Sequence, residues 1–182
     1  MKNRIQIILI FTAGILLLSS AASKESDKRH SDLELQLNEV ASYIAVKDTI
    51  NHKVSEVAVA WHMDHIYLMV NQIHKALKYS DERDYKTEPN TARDYVFTSN
   101  KMPRGKATAP EAVTPKENIT KNTLQMHYNE ALATVKKLPK LAEKKHFNHP
   151  ILGTMNRDET ITFLTIHTEH HLKIIRDILK KK

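Results

Sequence analysis

The chain contains no cysteine. Disulfide frameworks, thiolate metal sites and cysteine nucleophiles are excluded together. The compartment is not, because an exported protein need not carry disulfides. Only three glycines and six prolines occur in 182 residues, a length that suits one well-packed domain, so long helices have room to run. Aromatic residues are 6% of the chain and are not interleaved with the basic ones. The formal charge of +7 is spread in small clusters at Lys136-Lys137, Lys144-Lys145 and Lys180–Lys182. That pattern describes a solvated basic surface, and no nucleic-acid partner is expected. G-x-S-x-G, Walker and dinucleotide-binding motifs are missing, as are internal repeats and any stretch that reads as a strand.

What is present begins with a distinct segment. Lys2 and Arg4 precede an almost wholly apolar stretch, Ile5 to Leu18, and then Ser19-Ser20-Ala21-Ala22-Ser23, with Ser20 and Ala22 suited to the −3 and −1 positions of a cleavage site. This is the layout of a secretory signal peptide. The apolar part is shorter than the roughly 20 residues of a comfortable membrane span. Residues 1–22 are therefore expected to be a signal peptide cleaved near Ala22, or else an N-terminal membrane anchor. Residues 23–30 are expected to be a linker and 31–182 the domain, lying outside the cytoplasm (periplasmic, extracellular or membrane-anchored).

Four helices follow from the periodicity. Leu33, Leu37, Val40 and Ile44 make one buried stripe of a helix over Asp32–Asn51. A second helix, Ser55–Tyr79 with Ser55 as its N-cap, is apolar nearly all round, and Trp61, His65, Leu68 and Gln72 share an inward strip. Residues 80–117 break the pattern. A short helix fits Thr91–Ser99, and then three prolines and a glycine fall between Pro103 and Pro115. A connection this long is often functional, and its Arg104 and Lys106 are either anion-holding or solvated. The third helix, Thr120–Leu138, carries Leu124, Tyr128, Ala131, Val135 and Leu138 on one stripe. Pro139 ends it, and Thr114-Pro115-Lys116-Glu117 offers an earlier start. The fourth, Asn156–Lys181, has Asn156 and Glu159 as a capping box. The expected architecture is all-α, a four-helix bundle with a long loop between helices two and three.

The chemistry gathers on the last helix. His167 and His171, four apart, share a face and interrupt a stripe of Thr160, Phe163, Leu164, Ile174 and Ile178. With His65 they offer three neutral imidazoles from two helices, the donor count of a metal site with an open position. The alternative is three hydrogen-bonded core histidines. Each would need its own polar partner, since unpaired polar burial costs roughly 1–3 kcal/mol, whereas one shared ion satisfies all three. His62 is the rival for the first ligand position. His170 points away from His167 and belongs to the surface or behind the ligands. Asp64 and Glu169 are candidates to orient a ligand through its other ring nitrogen. H-T-E-H-H is not H-E-x-x-H, so a zinc peptidase is not expected. All-imidazole ligation points to zinc or nickel.

Three stretches carry a family resemblance: V-A-W-H-M-D-H-I on helix two, M-P-R-G-K-A-T-A-P in the long connection, and N-H-P-I-L-G-T-M followed by H-T-E-H-H-L. Together they are similar to the DinB-like superfamily of metal-binding four-helix bundles, and more closely to a branch of it without an assigned activity. The resemblance covers roughly residues 54–178. It implies an up-down-down-up bundle and places the family's three-histidine site on His65, His167 and His171. Related families include transferases and isomerases that use low-molecular-weight thiols. This chain departs from them in its export-like segment and in Leu172 and Lys173 after His171, and both departures argue against a thiol-transferase role. The expected function is that of a divalent-metal-binding protein, a metal-dependent hydrolase or transferase acting on an unidentified small molecule. The alternatives are an exported, non-catalytic metal- or ligand-binding protein and a helical interaction domain. No general base is assigned, membrane contact is expected only through the N-terminal segment, and homodimerisation is left open.

Overall fold

In a computed structural model, residues 28–105 and 108–180 are described. The expected signal segment, residues 23–27 of the linker, and Lys106 lie outside them. Among the described residues, no helix is long and apolar enough to cross a membrane.

Helix α1 is already formed at residue 28, ahead of the expected domain start, and runs to residue 42. Leu33, Leu37 and Val40 are fully buried, as their spacing implies. It ends well before Asn51, in a 3-10 turn at Tyr43–Val46. The following residues include β-branched and short polar side chains that favour turns over helix. Asn51 closes one such turn by accepting the Lys53 N–H on its side chain at 3.2 Å.

Helix α2 spans Val59–Tyr79. Its N-cap is Ala58, which provides no side-chain cap, so the expected role of Ser55 is corrected: its Oγ accepts the Val57 N–H at 3.3 Å and faces His62. Helix α3, Thr91–Ser99, is capped by Asn90, whose side chain accepts the Arg93 N–H. Arg93 is buried, and its guanidinium donates to the carbonyls of Thr154 at 2.6 Å and Glu88 at 2.7 Å, pinning α3 to the segment before the last helix. The long connection then holds a 3-10 turn at Glu111–Val113. Helix α4, Lys121–Val135, starts from the Thr120 cap rather than from Thr114. Leu138 lies beyond it, in a separate 3-10 turn with Pro139 and Lys140.

The expectation of no strands is corrected by a small hairpin. Strand β1, His146–His149, pairs antiparallel with β2, Gly153–Asn156, with His146 opposite Asn156 and His149 opposite Gly153. Turn chemistry makes it. Gly153 adopts φ 71, a left-handed conformation that a Cβ disfavours. The His149 Nδ1 accepts the N–H groups of both Ile151 and Leu152 at 3.1 Å. Four-residue strands carry too few positions for a two-residue period to stand out.

Helix α5, Arg157–Leu179, opens with the expected capping box: the Asn156 side chain accepts the Glu159 N–H, and the Glu159 carboxylate accepts the Asn156 N–H. Helix α2 packs along both α4 and α5. Helix α1 reaches the same two helices from the other side. His30 Nε2 lies 2.9 Å from the Val135 carbonyl, and Arg176 donates to Glu39 at 2.7 and 2.6 Å. The result is a four-helix bundle of α1, α2, α4 and α5, with α3 and the hairpin added outside it. Tyr67, Met63, Leu124 and Phe163 are among the largest side chains sealed in its core.

Candidate metal centre

The packing of α2 on α5 brings three imidazoles together. His65, His167 and His171 each offer a ring nitrogen within 4.8 Å of the other two. Ring centroids are 5.2 Å apart for His65–His167, 4.8 Å for His65–His171 and 4.6 Å for His167–His171. All three residues are buried, only 4%, 7% and 8% exposed, respectively. The helical i,i+4 relation places the pair on α5, whereas the third ring depends on which face of α2 meets that helix.

Each ring has a different neighbourhood. The Nδ1–H of His65 donates to the Val113 carbonyl at 2.7 Å, which leaves its Nε2 with the lone pair. The Trp61 indole stacks on the same ring, with centroids 4.9 Å apart and planes 16° from parallel. Nδ1 of His171 lies 3.0 Å from Nδ1 of His62, whose Nε2 in turn lies 3.0 Å from Ser55 Oγ. His167 meets the other two rings by ring contact. Its ring sits 5.6 Å from that of Phe163, an apolar wall.

Burial dominates the electrostatics. It holds His167 and His171 well below the usual histidine range, and neighbouring imidazoles push in the same direction. His65 is also lowered by burial, against the opposing pull of the Val113 carbonyl and Asp64. His62 is pushed down to about 4, again chiefly by burial and then by His65, His170 and Arg104. The rings are therefore neutral near pH 7, the form that ligates a metal. Three buried, converging imidazoles, two of them with Nδ1 engaged elsewhere, are a donor set that can hold a divalent metal ion.

The other expected participants have different partners. Asp64 does not orient a ligand: its Oδ1 lies 2.6 Å from Nδ1 of His127 on α4. Glu169 accepts from Arg176 at 2.9 Å and lies 3.8 Å from Lys173. Arg104 pairs with Asp177 of α5 at 2.8 Å, fastening the long connection to the bundle. His170 is half-buried, hydrogen-bonded to the backbone of Met102, and meets His171 edge-on at 5.1 Å without joining the trio. Sequence reasoning missed Val113, since a backbone carbonyl leaves no residue-type signal. It also missed the joint role of Ser55 and His62. His62 carried a signal only as a rival ligand, one turn before His65.

A family model described as the DinB superfamily matches residues 56–175, a stretch that includes all three clustered histidines. No curated protein and no solved structure matches the chain.

Proposed function

This chain belongs to the DinB superfamily, and from that membership and its imidazole trio we propose that it is a divalent-metal-binding protein whose ligands are His65, His167 and His171. The ion is zinc or nickel, the metals suited to an all-imidazole set. A single observation carries the reading: three buried imidazoles converge, each with a ring nitrogen within 4.8 Å of the other two. When bound, such an ion supplies Lewis acidity at neutral pH to whatever group takes its remaining position. The protein's part is orientation and exclusion. Val113 turns His65, Trp61 flanks it, and burial keeps the ligand nitrogens from protonating. The reaction class we assign is hydrolysis or group transfer on a small molecule.

One observation favours a second reading, non-catalytic metal or ligand binding. The two acidic residues nearest in sequence to the ligands, Asp64 and Glu169, are engaged by His127 and Arg176, so neither is placed as a general base. Metal content of untagged protein tests the shared core of both readings. Close to one equivalent of zinc or nickel is expected in wild type and far less in His65→Ala. Metal-free wild type with unfolding indifferent to chelator would sink both. The readings separate on the cobalt-loaded protein: bands that shift on adding azide or a small thiol favour an open position, and unmoved bands favour a closed one.

A further inference from the structure

His62 is outside the trio, yet it is only 4% exposed and both its ring nitrogens are engaged, Nδ1 with His171 Nδ1 and Nε2 with Ser55 Oγ, each at 3.0 Å. Neutral imidazole has one N–H and one lone pair, so the two hydrogen bonds are linked. In one order, the His171 Nδ1–H donates to His62 and the His62 Nε2–H donates to Ser55. In the other, the Ser55 O–H donates to His62 Nε2 and the His62 Nδ1–H donates to His171. The second order puts the proton of His171 on Nε2 and leaves that ring no free lone pair. Only the first leaves Nε2 of His171 open. It is the same tautomer that the Val113 carbonyl imposes on His65. Ser55 Oγ accepts the Val57 N–H in either order, so the hydroxyl does not choose between them.

Resting on the metal-binding reading, we infer that His62 is a positioning residue: with the ion on Nε2 of His171, His62 accepts the Nδ1–H of that ring and passes its own Nε2–H to Ser55, which keeps His171 oriented toward the ion. Partners of this kind are usually carboxylates or backbone carbonyls. Here a neutral imidazole takes the place, and it adds no negative charge to the site. Helix α2 starts from Ala58, whose methyl side chain offers no cap. The hydroxyl that sequence assigns to the cap is held by His62 and the Val57 N–H.

The test is zinc affinity of the untagged protein, measured by competition with a chromophoric chelator, for wild type, His62→Phe, His62→Asn and Ser55→Ala. His62→Phe is expected to bind about 10–100-fold more weakly, the usual loss on removing such a partner. In His62→Asn the side-chain oxygen stands near the lost Nδ1 and can accept from His171, so affinity is expected to return to within about tenfold of wild type, the worth of a single net hydrogen bond. Ser55→Ala is expected to lose about two- to tenfold on the same basis. Cobalt-loaded His62→Asn should keep the visible bands of wild type, because its three ligands are intact. Equal zinc affinity in wild type and His62→Phe overturns the inference and leaves the metal site standing, as do cobalt bands that change as for loss of a ligand. Wild type that binds no zinc sinks the metal reading and this inference together. Unfolding in chelator reports whether each variant folds. A purely structural role would lower that unfolding temperature while leaving zinc affinity unchanged. If His62→Phe does not fold, Ser55→Ala carries the comparison.

Discussion

The Arg176 guanidinium of α5 grips both carboxylate oxygens of Glu39 of α1, donating from Nε at 2.7 Å and from Nη2 at 2.6 Å. Tyr43 adds a third donor, its O–H reaching Glu39 Oε1 at 2.9 Å. The Arg176 hydrogen bond, against a smaller desolvation effect, holds the Glu39 carboxyl below its ordinary value of 4.5. A carboxylate with a lowered folded-state pKa stabilises the fold above its unfolded pKa and loses that contribution as pH falls through the folded one. Glu39→Gln is therefore expected to lower stability by about 1 kcal/mol near pH 7, a pair of this exposure being screened by solvent. The difference should shrink as pH drops below 4.5. Denaturant unfolding of the two proteins across that range is the measurement; a constant difference at all pH values would contradict the account.

His167 sets a polar ring in an otherwise apolar stripe of α5, 7% exposed and against Phe163. His167→Leu replaces it with an apolar side chain of similar reach. In chelator the variant is expected to be as stable as wild type or more so, by up to about 1–3 kcal/mol, the cost of taking a polar side chain out of water. With zinc present the order should reverse, because only wild type gains linkage stabilisation, about 2.7 kcal/mol at a hundredfold excess over Kd. Thermal unfolding with and without zinc decides it. A large loss of stability in chelator would mean that the imidazole is a structural core residue.

The hairpin turn depends on Gly153. Its φ is 71, and a Cβ there would come within 3.3 Å of the Asn90 side-chain nitrogen. Gly153→Ala should cost about 1–2 kcal/mol, the penalty of placing an ordinary residue in the left-handed region. The loss should be visible as a lower unfolding midpoint, and an unchanged midpoint would show that the turn relaxes freely.

Asn156 ends the hairpin and opens α5. Asn156→Ala removes one half of the capping box and is expected to cost about 1 kcal/mol. Asn156→Asp retains an acceptor for the Glu159 N–H and should cost much less. Equal losses in the two variants would locate the effect in the strand pairing with His146 rather than in the cap.

Much of the fold was legible because it is local. The α5 capping box is a three-residue pattern, the stripe of α1 follows helical spacing, and His167 and His171 meet through the i,i+4 geometry of one helix. The short α3 was likewise placed at Thr91–Ser99. The end of α1, the start of α2 and the hairpin were less so, because each depends on turns whose side-chain bonds can be satisfied in several ways.

By itself the sequence determined the helical periods, the capping box of α5, the absence of thiolate chemistry and the paired imidazoles of α5. Tertiary structure decided which other groups meet that pair. The His62–His171 contact joins residues 109 apart in the chain, and the His65–Val113 bond joins residues 48 apart. Such contacts depend on the rotation of α2 and on the path of the long connection over it. Two histidines one turn apart on α2 compete for the third ligand position in sequence, where the inward strip favours His65. The way α2 packs on α5 brings His65 within 4.8 Å of the α5 pair and sets His62 between Ser55 and His171. That division follows from helix packing, since the angular offset between His62 and His65 turns a small rotation of α2 into a different partner for each ring.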